Sequence, residues 1–231
     1  MLTPFGGGGQ VGYARPLSPI RPTSDDGAAM SVTQRLVVGI SGASGVIYGV
    51  RLLEMLRSMP VETHLVMSRA AEVTVAHETS LKVAQVQALA HVVHPIADIA
   101  ASISSGSFKT MGMIIAPCSI RSMSEIASGV TSSLLTRAAD VTLKEGRKLV
   151  LMIRETPLHL GHLRTMALLA EMGAVVAPPV PAFYAKPQSI EDMIDHSLGR
   201  VLDQFGLETG KVKRWGEEPE APRRLRRHEP G

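Results

Sequence analysis

The sequence predicts an α/β domain of three layers, an open parallel sheet with helices on both faces. Three observations predict it. Short aliphatic runs at residues 36–40, 61–67, 111–116, 148–153 and 174–177 alternate with helical patterns, the order of a chain of βα units. Most of these runs are continuously apolar rather than alternating, as strands covered on both faces are. Two of them end in small polar residues that lead straight into a helix, Ser41-Gly42-Ala43-Ser44 after the first and Pro117-Cys118-Ser119 after the third. Crossovers between parallel strands are then right-handed.

Each element follows from local pattern. After the first strand, Tyr48, Leu52, Leu53 and Leu56 recur at helical spacing. Residues 70–76 and 83–89 read as helix behind the second strand, and residues 91–94 as a brief apolar segment. Residues 102–110, Ser-Ile-Ser-Ser-Gly-Ser-Phe-Lys-Thr, read as a hydroxyl-rich loop just before a buried strand. Residues 132–141 form a helix with Leu134, Leu135, Ala138 and Val141 on one face. The run 148–153 ends in Arg154-Glu155-Thr156-Pro157, an amphipathic helix fills 160–172, and Gly173 stops it. The prolines Pro178, Pro179 and Pro181 stiffen the loop that carries Tyr184. Residues 190–205 form the last helix, with Gly206 as its stop.

Bulk properties bound the rest. The chain of 231 residues has room for one sizeable core, and 45% hydrophobic residues fill it. Aromatics are only 3%, so Val, Leu, Ile, Ala and 12 Met build that core. The single cysteine, Cys118, excludes an internal disulfide and fits a reducing, cytoplasmic setting. No run approaches the ~18 apolar residues of a membrane span. The net charge of +3 belongs to a tail: without Arg223, Arg224, Arg226 and Arg227 it becomes −1. A near-neutral body argues against a nucleic-acid partner. Residues 1–34, with Gly6 to Gly9 and several prolines, read as a disordered extension without the apolar core of a signal peptide, and Met30 is a candidate start. The folded domain is expected over 35–207, followed by a C-terminal extension and basic tail over 208–231.

The chemistry concentrates at the strand ends. A strand, a glycine turn and a helix make an anion site, because the first N–H groups of a helix lack internal partners. Gly42 and Gly45 allow close approach, and Ser41 and Ser44 offer hydroxyl donors. The turn alone is also compatible with a plain βα connection. The second strand ends in Ser68-Arg69, with no carboxylate for an NAD ribose. NADP and FMN both stay open, although no Tyr-x-x-x-Lys pair follows. Arg154-Glu155 is a charged pair at the end of a buried strand, where charge is costly to place. Lys144, Arg154, Tyr184 and Arg200, with Arg137 as a further candidate, are suited to a second phosphate. The patterns of the common metal motifs are missing from the sequence, so no metal is expected. Cys118 reads as a small buried thiol rather than a nucleophile.

Several motifs in order carry a resemblance: Gly39-Ile-Ser-Gly-Ala-Ser-Gly45, Pro117-Cys-Ser119, Leu135-Thr-Arg-Ala-Ala-Asp140, Leu143-Lys-Glu145, Arg154-Glu-Thr-Pro-Leu158, Pro181-Ala-Phe-Tyr184 and Pro187-Gln-Ser189. From about Arg35 to Trp215 the chain resembles the UbiX-type flavin prenyltransferases, flavoproteins with a Rossmann/flavodoxin-like sheet. It is less similar to the related phosphopantothenoylcysteine decarboxylases, which differ at the Pro117 segment. The resemblance implies metal-independent transfer of a dimethylallyl group from dimethylallyl phosphate to reduced FMN, first at N5 and then at C6. The prenylated FMN would serve a partner UbiD-type decarboxylase. It further implies that Gly42, Ala43, Ser44, Ser68, Ser119, Ile120, Arg121, Ser122 and Arg154 hold FMN. Lys144, Tyr184 and Arg200 would hold the prenyl phosphate, and Glu155, with Lys144, would be catalytic, Glu155 moving protons. A homo-oligomer, a dodecamer by family analogy, is also implied, with Trp215 covering the site from a neighbouring subunit. Phe108 is the only ring in the 102–108 loop, where some relatives place an aromatic near the prenyl group. The alternatives are an aromatic-acid decarboxylase subunit and a non-catalytic FMN carrier.

Overall fold

The computed structural model describes residues 34–216. The expected N-terminal disorder, the candidate start at Met30 and the arginine tail lie outside the described residues. Six parallel strands form one sheet: β1 (Gln34–Ile40), β2 (Val61–Met67), β3 (Val92–His94), β4 (Gly112–Cys118), β5 (Lys148–Ile153) and β6 (Val175–Val176). Their spatial order is β3-β2-β1-β4-β5-β6. The helices are α1 (Ile47–Leu56), α2 (Arg69–Glu78), α3 (Val83–Gln87), α4 (Ile120–Ala127), α5 (Leu134–Lys144), α6 (Leu160–Glu171) and α7 (Ile190–Asp203). The sheet has one more strand than the five apolar runs suggest, because residues 92–94 pair with β2 at the edge. The serine-rich loop contains a short 3-10 turn, Ser102–Ser104.

The sheet separates two apolar clusters. Leu36, Val38 and Ile40 of β1 face one cluster with Leu52, Leu53 and Leu56 of α1 and Leu198 and Leu202 of α7. Val37 faces the other with Met123 of α4, Leu134 and Leu135 of α5 and Leu169 of α6. This is the strand period of two read on both faces. Each fully buried Leu or Ile contributes roughly 1.5–3 kcal/mol relative to exposure. Helix α1 lies close on the sheet because Gly49 has no side chain; a Cβ there would come within 2.4 Å of the Ala116 carbonyl oxygen.

The topology positions the site. From β1 the chain moves outward to β2 and β3, then returns to build β4, β5 and β6 on the other side. The order reverses between β1 and β4, and the C-terminal ends of strands at such a reversal form the usual crevice of open α/β sheets. Residues 208–216 run back along α7. Val212 fills the space beside Gly199, and the Lys213 ammonium donates to the Ala185 carbonyl at 2.9 Å. No helix among the described residues is long and apolar enough to cross a membrane.

Candidate active site at the strand ends

The turn after β1 packs tightly against α2, where a Cβ on Gly42 would fall 2.3 Å from that of Ala70. Ala43 is buried and Ser44 exposed. At the start of α1, two of the N–H groups that the sequence reading leaves to a ligand phosphate already have an anion of the chain's own. Glu78 Oε2 accepts the N–H groups of Gly45 (2.8 Å) and Val46 (3.0 Å). A carboxylate satisfies orphan helix donors as well as a phosphate does, so the protein supplies this anion itself. Burial pushes the Glu78 carboxyl up, but hydrogen bonds from Ser44, Val46 and Gly45 and the field of Arg154 outweigh it and hold it below its ordinary value. Ser41 is likewise not a ligand donor: it is fully buried and bonded to Pro117 and Ser119.

The second junction completes a cleft. Ser68 caps α2, accepting the Ala71 N–H at 3.1 Å, and Ser119 caps α4, accepting the Ser122 N–H at 3.2 Å. Gly42, Ser68, Ser119, Arg121 and Ser122 line one cavity of about 530 Å³, with Ile96, Ala97 and Leu135 as apolar wall. The Arg121 side chain is 84% exposed and pairs with Glu125 at 2.8 Å. Glu125 also accepts from Ser132 at 2.7 Å. Ile120 is partly buried and packs against the apolar cluster of that face. Arg154 and Glu155 leave β5 beside this junction, since the Arg154 N–H donates to the Cys118 carbonyl at 3.1 Å. Both side chains are exposed, and Glu155 Oε1 accepts the Thr156 N–H at 3.0 Å. The charge of Arg154 is felt at Tyr48, whose phenol burial raises and Arg154 partly lowers. Burial pushes the Cys118 thiol up to about 12, so it is inert at neutral pH.

The expected second phosphate grip is not assembled within one chain. Tyr184 and Arg200 line a cleft of about 300 Å³ with Met152, Pro178, Pro179 and His196. There Tyr184 Oη lies 3.4 Å from His196 Nε2, and Arg200 pairs with Asp203 at 2.9 Å. Lys144 and Arg137 instead sit on α5. Lys144 pairs with Glu145 beside Gly106, and Arg137 donates to the Ser104 carbonyl at 3.3 Å and to Asp140 at 2.8 Å. Helices α5 and α7 belong to the two different apolar clusters. The sheet therefore stands between the two pairs of groups. Trp215 is 83% exposed, and its ring meets Tyr184 of the same chain edge-on at 5.7 Å. Among the described residues no group of three or more His, Cys, Asp or Glu converges as metal ligands.

Glu78 is a residue at the β1 turn that sequence reasoning missed. It ends α2 with no motif around it, and only the fold brings it to a turn 33 residues earlier.

Comparisons with known proteins agree with this architecture. The Flavoprotein family model matches residues 26–202. The flavin prenyltransferase UbiX of Escherichia coli K12 is 63% identical over 175 residues, which are 75% of this chain and 93% of that protein. A crystal structure of AnUbiX in complex with FMN and dimethylallyl pyrophosphate is 53% identical with a TM-score of 0.78, covering 79% of this chain and 97% of that one. A dodecameric FMN-dependent UbiX-like decarboxylase from Escherichia coli O157:H7 is 52% identical with a TM-score of 0.77, covering 79% and 99%. With a sheet that reverses between two small-residue turns and this identity over nearly the whole length of its relatives, the chain belongs to the flavoprotein family and, within it, to the UbiX flavin prenyltransferases.

Proposed function

We propose that this chain transfers a dimethylallyl group from dimethylallyl phosphate to reduced FMN and so makes prenylated FMN for a UbiD-type decarboxylase in ubiquinone or aromatic-acid metabolism. The observation that carries the reading is the cleft between the turns of β1 and β4, with Arg154 and Glu155 leaving β5 at its side. The residues present fit a flavin mononucleotide. Ser68, Ser119, Ser122 and Arg121 offer donors for phosphate and ribityl oxygens, and Ile96, Ala97 and Leu135 offer an apolar wall for a ring system. The volume of about 530 Å³ lies within the usual range for ligand sites, roughly 300–1,000 Å³.

Reduced flavin, when bound, supplies the nucleophilic N5 and C6 that take the two new bonds. The chain's own residues deal with the leaving phosphate. Lys144, Arg154 and Arg200 set positive charge where negative charge develops, and Tyr184 adds a phenol donor. Glu155 would carry protons from the flavin, which gives them up as the two bonds form, through its carboxylate oxygen to the departing phosphate. Because Lys144 and Arg137 lie across the sheet from Tyr184 and Arg200, the complete grip draws on two copies of the chain. A homo-oligomer, in the manner of the dodecameric relative, supplies both halves. The exposed apolar side chains of α6, Leu160 and Leu163, support such an assembly. The lone buried thiol is in keeping with a cytoplasmic location.

The test is a single turnover. Purified protein is mixed with reduced FMN and either dimethylallyl phosphate or its diphosphate, and the flavin is weighed by mass spectrometry. A flavin heavier by one dimethylallyl group with the monophosphate is expected. An unchanged flavin with both donors favours a carrier, and product only with the diphosphate corrects the donor. Carbon dioxide released from a hydroxybenzoate by this protein alone would overturn the reading.

A further inference from the structure

The two turns of the cleft are joined through one buried hydroxyl. The β1–β4 ladder has its last partners at Gly39 and Ile115, and the β4–β5 ladder is irregular between Ile115 and Cys118. Beyond that level the turns are tied by Ser41. Its N–H and its Oγ both donate to the Pro117 carbonyl, at 3.2 and 2.9 Å, and its Oγ accepts the Ser119 N–H at 2.7 Å. Ser41 has no exposed surface. Ser119 in turn caps α4, accepting the Ser122 N–H and donating to Ser122 Oγ, both at 3.2 Å. The neighbouring Ile40 carbonyl receives the Ser68 N–H at 2.9 Å. Residues 40 and 41 thus hold the three serine-bearing turns that line the cleft, and of these ties only those through Ser41 Oγ depend on a side chain.

We infer that Ser41 is a positioning residue that fixes the distance between the Gly42 turn and the Ser119–Ser122 turn and thereby sets flavin affinity. The inference rests on the FMN reading of the cleft. It is physically specific. Without the hydroxyl, the part-buried Ser119 N–H at the cleft loses the acceptor that ties it to the Gly42 turn, and the Ser119 turn is free to shift. The Pro117 carbonyl keeps the Ser41 N–H, so β4 itself stays in place. The displacement therefore falls on Ser119, Arg121 and Ser122, not on Tyr184 and Arg200 beyond β6.

The test compares wild type with Ser41→Ala, Ser41→Cys and Ser41→Thr in the full chain. Flavin fluorescence gives the Kd for FMN, steady-state turnover gives the KM for the prenyl donor, and heating gives the unfolding temperature without flavin. Ser41→Ala is expected to weaken FMN by roughly tenfold or more, while the donor KM stays within about twofold. Ser41→Thr keeps the hydroxyl and is expected to stay within about threefold of wild type, with Ser41→Cys between Thr and Ala. If Ser41→Ala does not fold, the Cys and Thr variants carry the comparison. Equal FMN affinity across the folded variants, or a donor KM that rises as much as the FMN Kd, overturns the inference. Wild-type protein that binds no FMN overturns the flavin reading itself, a separate and recognisable failure.

Discussion

A carboxylate at a helix N-terminus competes with any ligand anion for the same N–H groups, and Glu78 has already taken those of Gly45 and Val46. Replacing Glu78 by Ala therefore exposes two orphan donors. The variant should lose about 1–2 kcal/mol of stability without flavin. Added sulfate should restore much of that loss, because the freed donors then bind an external anion. Thermal unfolding with and without sulfate checks it; a wild-type response equal to the variant's would mean that the donors were never occupied. At Glu155 the expectation differs, since its carboxylate only meets the Thr156 N–H and is otherwise exposed. Glu155→Gln should retain FMN affinity and form little ring-closed flavin, measured as flavin mass and absorbance after one turnover. Glu155 was legible in the sequence because a charged pair closing a buried strand is conspicuous. Glu78 was not, because nothing local distinguishes it from any other acidic residue at a helix end.

Elements were easier to read than their contacts. Apolar runs gave five of the six strands, because that signal acts within a few residues; the serine caps of α2 and α4 emerged only from the fold. The tie between α1 and α7 is different in kind. Arg51 Nε meets Asp195 Oδ1 at 2.6 Å, across 144 residues of sequence. The hydrogen bond from Arg51 is the largest cause holding the Asp195 carboxyl below its ordinary value, against an opposing burial effect. A lowered pKa in the folded state gives stability that is present above the unfolded value, about 3.9, and is lost as pH falls through the folded value. Asp195→Asn should thus be less stable than wild type at pH 7, by roughly 1–3 kcal/mol. Below about pH 4 the difference should shrink as wild-type Asp195 takes up its proton. Unfolding temperatures at pH 7 and in acid decide it, and a gap that stays constant would assign the loss to packing.

At the scale of the whole molecule, the cations expected to share one phosphate divide between the two faces of the sheet. Residue type announced them, but the face on which each crossover helix lies is decided by the packing of all the strands. The single chain also leaves apolar side chains in water: Leu160 is 60% exposed, Phe183 73% and Ile190 71%. Surface of this kind is what association of copies removes. If one copy brings Lys144 and another brings Tyr184 and Arg200, each active centre needs two chains, and subunit mixing becomes the decisive measurement. Arg200→Ala alone should raise the KM for the prenyl donor by roughly 10²-fold with little change in FMN affinity, because a charge-assisted phosphate contact is lost. Lys144→Ala alone should be comparably impaired. Unfolding and reassembling the two variants together should then restore turnover, since some interfaces pair an intact Lys144 with an intact Arg200. With random assembly of equal amounts, about one quarter of the interfaces are intact and about one quarter of wild-type turnover returns, the probabilities of the two intact halves multiplying for an independent, heterologous contact. Reassembly of each variant with itself is the control. Turnover no higher than in those controls would place all the cations in service of a single chain, and the division across the sheet would lose its functional meaning.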